Sequence, residues 1–562
     1  MTKKLLIACL LVALAAVPAR AAQLDEQRAL QFIEQCRNTP DRQPNLSLIY
    51  WKLKVWEAAE TQFDAAPYAA PVQALQNEDG GFGLWPKDVS TPAATHYALS
   101  VLEKAGAEVP DKAACERYLS STLTEKARTA ERYSDLFALD ELHACLMALS
   151  MVRAQVPDLE RYLKIFDQDG HAWGLYYRLT VAEAFGHPVE DRQARIAQLD
   201  ALITDRFLKG LWPTAEQHYA LEAMQILGGK PTYEHWLRER TSSEFGGRRG
   251  SIRISEDAWH GIRIAKLLGK DTSQLGAALE GAEPLRPGPV GGYAPMPGCD
   301  TDAQACFLAC ALLGEPVAAG ATRWLAERWK DGQQKGGYYG AAAADRSPRF
   351  SREDPLGRQI EDTWQAVSAL RLAGMEPADR EALIAWLKGV LDKRWDELSS
   401  KQIRQVLECL DLVEESSGNA PELAARLQQR FGNDPAFMIR VSKAFAVKPQ
   451  LEGTAEQLKM LPDRVREAGL LMPVCVLTET FESLEAIGEG YEGTGYFLEL
   501  LATLQNPDGG VRDPASQHSN IFDTMAALRM ARVLPVLEAR AKGKAAAPLN
   551  APRPVGAGAE TP

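Results

Sequence analysis

A short phrase recurs seven times along this 562-residue chain, and recurrence on that scale limits the fold to a stack of similar units. Each copy reads as a glycine pair or a glycine next to an aromatic, then a polar loop, then a short apolar helix. The first is QNEDGGFGLWPKDVSTPAATHYALSVLEKAG, from Gln76 to Gly106. Further copies begin at Asp167, Lys209, Ser242, Gly288 and Lys335, and the last, QNPDGGVRDPASQHSNIFDTMAALRMARVL, begins at Gln505. Gly247, Gly292 and Gly337 stand 45 residues apart, and Gly174 and Gly210 stand 36 apart.

The stretch before a phrase, such as DKAACERYLSSTL from Asp111, places apolar residues at helical spacing with charges between them, as an outer helix does. The stretch after it, such as HYALSVL, is apolar nearly all round, as a helix covered on both sides must be. Glycine suits the joint. One residue can take φ > 0 past a helix end, and the next lets two chain segments approach closely. Helical hairpins stacked in this way predict an all-α solenoid, open or closed into a ring.

The strings Gln76-Asn77-Glu78-Asp79-Gly80-Gly81-Phe82-Gly83 and Gln505-Asn506-Pro507-Asp508-Gly509-Gly510-Val511 resemble the Q-x-x-D-G-G/S-aromatic motif of squalene–hopene cyclases and prenyltransferase β-subunits. The segments HYAL, EDTWQAVSAL and FDTMAAL resemble the inner-helix half of the same repeat. The resemblance covers about residues 70–374 and 500–534. It implies an (α/α) toroid, with inner helices ringed by outer ones around an apolar cavity. All twelve Trp lie at or before Trp395. The expected organisation is a signal peptide over 1–21, a helical lead-in over 22–60, a toroid over 61–390, further helical repeats over 391–540, and a disordered tail over 541–562.

Neither chemistry of those enzymes carries over intact. The cyclase acid motif D-x-D-D-T-A has its nearest counterpart in Cys299-Asp300-Thr301-Asp302-Ala303, which lacks the second adjacent acid. In repeat register, Asp300 and Asp302 fall on the D-x-C positions of the prenyltransferase zinc set, and Asp362 falls where its histidine would be. An all-oxygen set does not suit a thiolate-activating zinc. Asp300, Asp302, Glu361 and Asp362 together could hold a divalent cation such as Mg²⁺ or Ca²⁺, or place an acid at a cavity mouth. The plainer alternative is capping of inner-helix N-termini.

His96 and His218 occupy the same place in two copies of a T/Q-H-Y-A-L string and are the acid–base candidates, with His260 one place later in a third copy. Core histidines satisfied by their neighbours are the alternative. Trp85, Trp173, Trp212, Trp259 and Trp364 recur at joints or inner-helix starts. They line a ligand cavity on one reading and pack hairpins together on the other.

The leader MTKKLLIACLLVALAAVPARAA has a basic start, an apolar stretch too short to span a membrane, and an A-x-A cleavage pattern. Export to the periplasm or the cell exterior is therefore expected, with no transmembrane segment. Losing Lys3, Lys4 and Arg20 with the leader takes the formal charge from −12 to −15, which opposes nucleic acid as a partner. The eight remaining cysteines have no C-x-x-C spacing and read as buried thiols, with Cys306 and Cys310 on one helix face. Three functions stay open: an enzyme handling an isoprenoid or other apolar substrate, a non-catalytic binding or scaffold protein, and a carbohydrate-active toroid with a glycan ligand.

Overall fold

The structure is a computed structural model. It describes residues 24–37, 44–133, 136–167, 171–208, 214–232, 234–235, 237, 256–270, 293, 296–297, 305, 309, 312–313, 355–372, 376–377, 379–413, 425–427, 429–430, 454–469, 472–514 and 516–543. The fold is all-α, as the hairpin pattern predicts. In chain order the helices are α1 (Glu26–Gln35), α2 (Leu46–Ala58), α3 (Ala69–Gln73), α4 (Pro92–Ala105), α5 (Lys112–Tyr133), α6 (Leu136–Met151), α7 (Leu159–Phe166), α8 (Ala172–Ala184) and α9 (Arg192–Leu208). They continue as α10 (Thr214–Ile226), α11 (Glu256–Leu267), α12 (Pro355–Leu372), α13 (Arg380–Arg394), α14 (Ser400–Leu412), α15 (Thr454–Ala468), α16 (Val474–Ala486) and α17 (Thr494–Leu504). A two-residue pair, β1 (Val511–Arg512) with β2 (Ser519–Asn520), precedes α18 (Ile521–Ala541).

The chain divides into two compact units, Glu34–Asn419 and Met1–Ile33 with Ala420–Pro562. In the larger unit, α3 packs on α4, α5 on α6, α7 on α8 and α9 on α10, giving four hairpins. The second helix of each also packs on the second helix of the next. Contacts run from α2 to α4, α6, α8, α10 and α11, and α11 packs back on α2. Burial follows this division. On α6, Ala138, Leu139, Leu142, Ala144, Cys145, Leu146, Ala148 and Leu149 are all buried, whereas α5 shows charged residues between Cys115, Leu119, Leu123 and Ala127. One core cluster joins Leu175, Leu179, Leu199, Ile203, Met224 and Ile264 across α8 to α11. Each such fully buried aliphatic side chain stabilises the fold by about 1.5–3 kcal/mol. Further along, α12 and α13 both pack on α14, which opens with a capping box between Ser399 and Gln402.

The two fullest copies of the repeated phrase fold into the same clasp. Gln76 Nε2 donates to the Gly80 and Asp111 carbonyls at 2.9 Å, and its Oε1 accepts from Asp111 N at 2.8 Å. Gln505 Nε2 donates to Gly509 and Asp25 carbonyls at 2.9 Å, and its Oε1 accepts from Asp25 N at 2.9 Å. Asp79 Oδ1 accepts from Gly81 N and the Ser90 hydroxyl; Asp508 Oδ1 does so from Gly510 N and the Ser519 hydroxyl. Thr95 and Thr524 each accept from the residue after the glycine pair, Phe82 N and Val511 N.

Asp111 and Asp25 are also the residues whose carboxylates accept from the first-turn amides of α5 and α1. Each loop therefore grips the start of a helix. The helix lies 35 residues downstream for Gln76 and 480 upstream for Gln505. The first glycine of each pair carries the left-handed backbone, φ 91° at Gly80 and 92° at Gly509. The second allows close approach: a Cβ on Gly81 would sit 2.6 Å from Ser90 Cβ, and one on Gly510 2.5 Å from Ser519 Cβ. Gly247, Gly292 and Gly337 lie outside the described residues. In the smaller unit, α16 and α17 pack on α18, and α15 packs on α16.

Candidate functional site

On the helices that contact one another in sequence, aromatic residues come as neighbours in the chain. They are Tyr50-Trp51 on α2, His96-Tyr97 on α4, Tyr176-Tyr177 on α8, His218-Tyr219 on α10 and Trp259-His260 on α11, and α6 supplies His143. Adjacent residues on a helix are about 100° apart, so a doublet reaches towards both neighbouring helices. Ring contacts follow accordingly. Tyr50 stacks on Tyr97 with centroids 4.1 Å apart, His143 on Tyr177 at 4.3 Å, and Tyr176 on Tyr219 at 4.8 Å. His218 meets Trp259 edge-on at 4.6 Å, and Trp259 meets Trp51 at 5.6 Å. Contacts of this geometry add about 0.5–1.5 kcal/mol each beyond area burial.

A polar chain runs through this belt. His218 and His260 are buried, with their Nδ1 atoms 2.8 Å apart. His218 Nε2 bonds to Glu222 Oε2, one helical turn on, and Arg263 holds both Glu222 oxygens, its Nε at 3.2 Å from Oε2. The bond logic assigns the protons: Nε2–H of His218 donates to the carboxylate, and its Nδ1 accepts from His260 Nδ1–H. Burial lowers the His218 pKa to about 4, against the pull of Glu222, so the ring is neutral at physiological pH. Burial alone would raise Glu222, but its bonds to His218 and Arg263 outweigh that and hold it at about 2. Burial likewise lowers His96 and His143 to about 3. His143 Nε2 lies 3.0 Å from Thr180 Oγ1, and Tyr177 Oη donates to Asp140. The rings pack face to face and edge to face around a neutral His218 imidazole that is backed by the Glu222 carboxylate. A proton taken at one end of the histidine pair can be passed towards Glu222.

Of the residues singled out in the sequence, His96, His218, Trp259 and His260 join this belt. Trp173 is half-buried and stacks on His171 at 4.2 Å. Trp85 is buried in the loop before α4, and Trp364 is half-buried on α12. Trp212, Asp300 and Asp302 lie outside the described residues, as do Cys306 and Cys310. Asp362 is the eighth residue of α12, which begins at Pro355, so it does not cap that helix. Its side chain also lies outside the described residues. Glu361 bonds to Lys401 at 2.9 Å. The start of α18 is capped by Asn520, whose side chain accepts from Asp523 N.

Among the described residues no group of three His, Cys, Asp or Glu could hold a metal ion, and no helix is long and apolar enough to cross a membrane. Cys36, Cys115, Cys145 and Cys409 are buried and Cys475 is exposed, none of them in a disulfide. The residues missed in the sequence are Tyr50, Trp51, Tyr97, His143, Tyr176, Tyr177, Tyr219, Glu222 and Arg263. The doublet itself, recurring at the same depth of helices that pack on one another in succession, is the signal that marks most of them. No protein-family model matches the chain, and no curated protein matches it.

Proposed function

We propose that the chain is an exported α/α toroid of prenyltransferase and squalene-cyclase type, whose inner-helix aromatic belt handles an apolar, isoprenoid-like ligand. The observation that carries this is the aromatic doublet repeated on α2, α4, α8, α10 and α11, with the Glu222–His218–His260 chain buried among its rings. A buried polar chain is costly to a fold unless every member is satisfied, and apolar packing would serve a pure scaffold as well. Helix contacts that return from α11 to α2, together with the repeated clasp loops, support the toroid. The basic and apolar leader supports export. His218, neutral and backed by Glu222, is the proton-handling residue of such a site, with His96 as a second neutral imidazole. The close mutual stacking of Tyr50 on Tyr97 favours a second reading, a non-catalytic ring filled by its own side chains.

The test is a titration of the mature protein with geranylgeraniol and, separately, with cellohexaose, followed by tryptophan fluorescence in wild type and Trp259→Leu. Saturable quenching by geranylgeraniol that disappears in Trp259→Leu supports the isoprenoid site. Saturation by the glycan alone would move the function to carbohydrate. No response to either ligand leaves the scaffold.

A further inference from the structure

An apolar cavity lies where the start of α2, the α3 segment and the loop before α4 meet. Its volume is about 570 Å³, within the range of about 300–1,000 Å³ usual for small-molecule sites. Ile49, Pro71, Val72, Leu84 and Trp85 form apolar walls. The walls are held by the clasp. Leu46 N donates to the Leu84 carbonyl at 3.0 Å, and Leu84 N donates to Asp88 Oδ2 at 2.9 Å.

Lys87 closes the lining. It is exposed and carries no ion pair among the described residues, although the chain around it is rich in carboxylates. Its backbone is left-handed, φ 68°, a conformation that costs a non-glycine residue about 1–3 kcal/mol. Bonds on either side impose it: Asp88 N donates to the Trp85 carbonyl at 3.1 Å, and Asn77 Nδ2 donates to the Asp88 carbonyl at 2.8 Å. A lone cation fixed at the edge of an apolar cavity matches a ligand with an apolar chain and one negative end.

We propose that this cavity binds a single-chain amphiphile with an anionic head, its chain between Ile49, Val72, Leu84 and Trp85 and its carboxylate or phosphate at Lys87. The site shares no residue with the aromatic belt and does not depend on the function assigned to that belt.

The test is isothermal titration calorimetry of the mature chain with laurate, dodecyl phosphate and dodecanol, each below its aggregation concentration. Two variants at exposed positions accompany it, Lys87→Glu at the head site and Ala74→Trp at the cavity edge, with circular dichroism to check that each is folded. Lys87→Gln stands in should the charge reversal perturb the loop. Saturable one-to-one binding is expected for an anionic amphiphile, and the tighter of laurate and dodecyl phosphate identifies the head group. Lys87→Glu weakens it by about fivefold to tenfold and leaves dodecanol within about twofold. Ala74→Trp weakens all three by about tenfold or more. No saturable binding of either anion to wild type overturns the proposal, and so does anion affinity unchanged in Lys87→Glu or in Ala74→Trp.

Discussion

Replacing Gln505 with Ala removes three hydrogen bonds at once, two to Asp25 and one to Gly509. Each contributes about 0.5–1.5 kcal/mol net, and the two to Asp25 are solvent-exposed, so the loss is about 1.5–3 kcal/mol rather than the full sum. Helix α1 has no helix before it among the described residues, and besides Gln505 the loop holds it through Arg28, which donates to the Asn506 and Pro507 carbonyls. The substitution should therefore appear as local opening of α1, with amide exchange in residues 26–35 about 10- to 100-fold faster. Gln76→Ala removes the matching three bonds. Helix α5, however, is held by α6 and α7 as well, so its exchange should rise far less. Hydrogen exchange with peptide-level mass spectrometry reads both variants in one experiment. Exchange in α1 within about twofold of wild type would refute the clasp as what holds that helix.

Gly80→Ala should destabilise by more than about 2 kcal/mol in urea, since φ is positive and the new Cβ would sit 2.3 Å from the Ala114 backbone. Gly106→Ala, also at positive φ but facing open space, should cost about 1 kcal/mol; equal losses at the two sites would contradict the close approach. His96, His143 and His218 are held well below the ordinary value of about 6.5, so the unfolded chain takes up protons that the folded chain refuses between pH 6.5 and 4. Stability is therefore expected to fall as pH drops through that window, by up to about 1.4 kcal/mol per pH unit for each histidine, with a shallower slope in His143→Phe; equal urea midpoints at pH 7 and pH 5 would be the contrary result. The buried pair Lys126–Glu141, 3.2 Å apart with side chains 11% and 10% exposed, predicts that Glu141→Gln costs about 3 kcal/mol by leaving a buried ammonium uncompensated. A thermal melt within 1 °C of wild type would contradict it.

The all-α class and the hairpin arrangement were legible because the apolar spacing of α5 and α6 differs so plainly, and because glycine is the one residue that meets both demands of the clasp loop. Even the division of labour between the two glycines could be anticipated from backbone sterics. The site was less legible. His96 and His218 stood out because they recur in the same string, but Tyr176 and Tyr177 sit in a stretch, AWGLYYRL, that reads as ordinary helix core. Glu222 and Arg263 look like surface residues one turn along. Their role appears only once α10 and α11 are side by side, since helix pairing is a tertiary fact that no local pattern encodes. Asp362 illustrates the opposite error. Repeat register placed it at a helix start, but Pro355, well suited to a first helical position, starts α12 seven residues earlier.

The bond between Asp25 and Gln505 also sets a timetable. A ribosome adding about 5–20 residues per second needs about 24–96 s to cover the 480 residues between them. Throughout that interval α1 exists without its partner loop, and Phe32, which lies beside Gly510 in the finished protein, lacks that cover. The first helix among the described residues thus meets its partner loop late. A chaperone that holds short apolar helical segments would find α1 presented until Gln505 is made. A chain broken off anywhere before Gln505 would keep presenting it, giving the cell a direct mark by which an unfinished copy is told from a finished one.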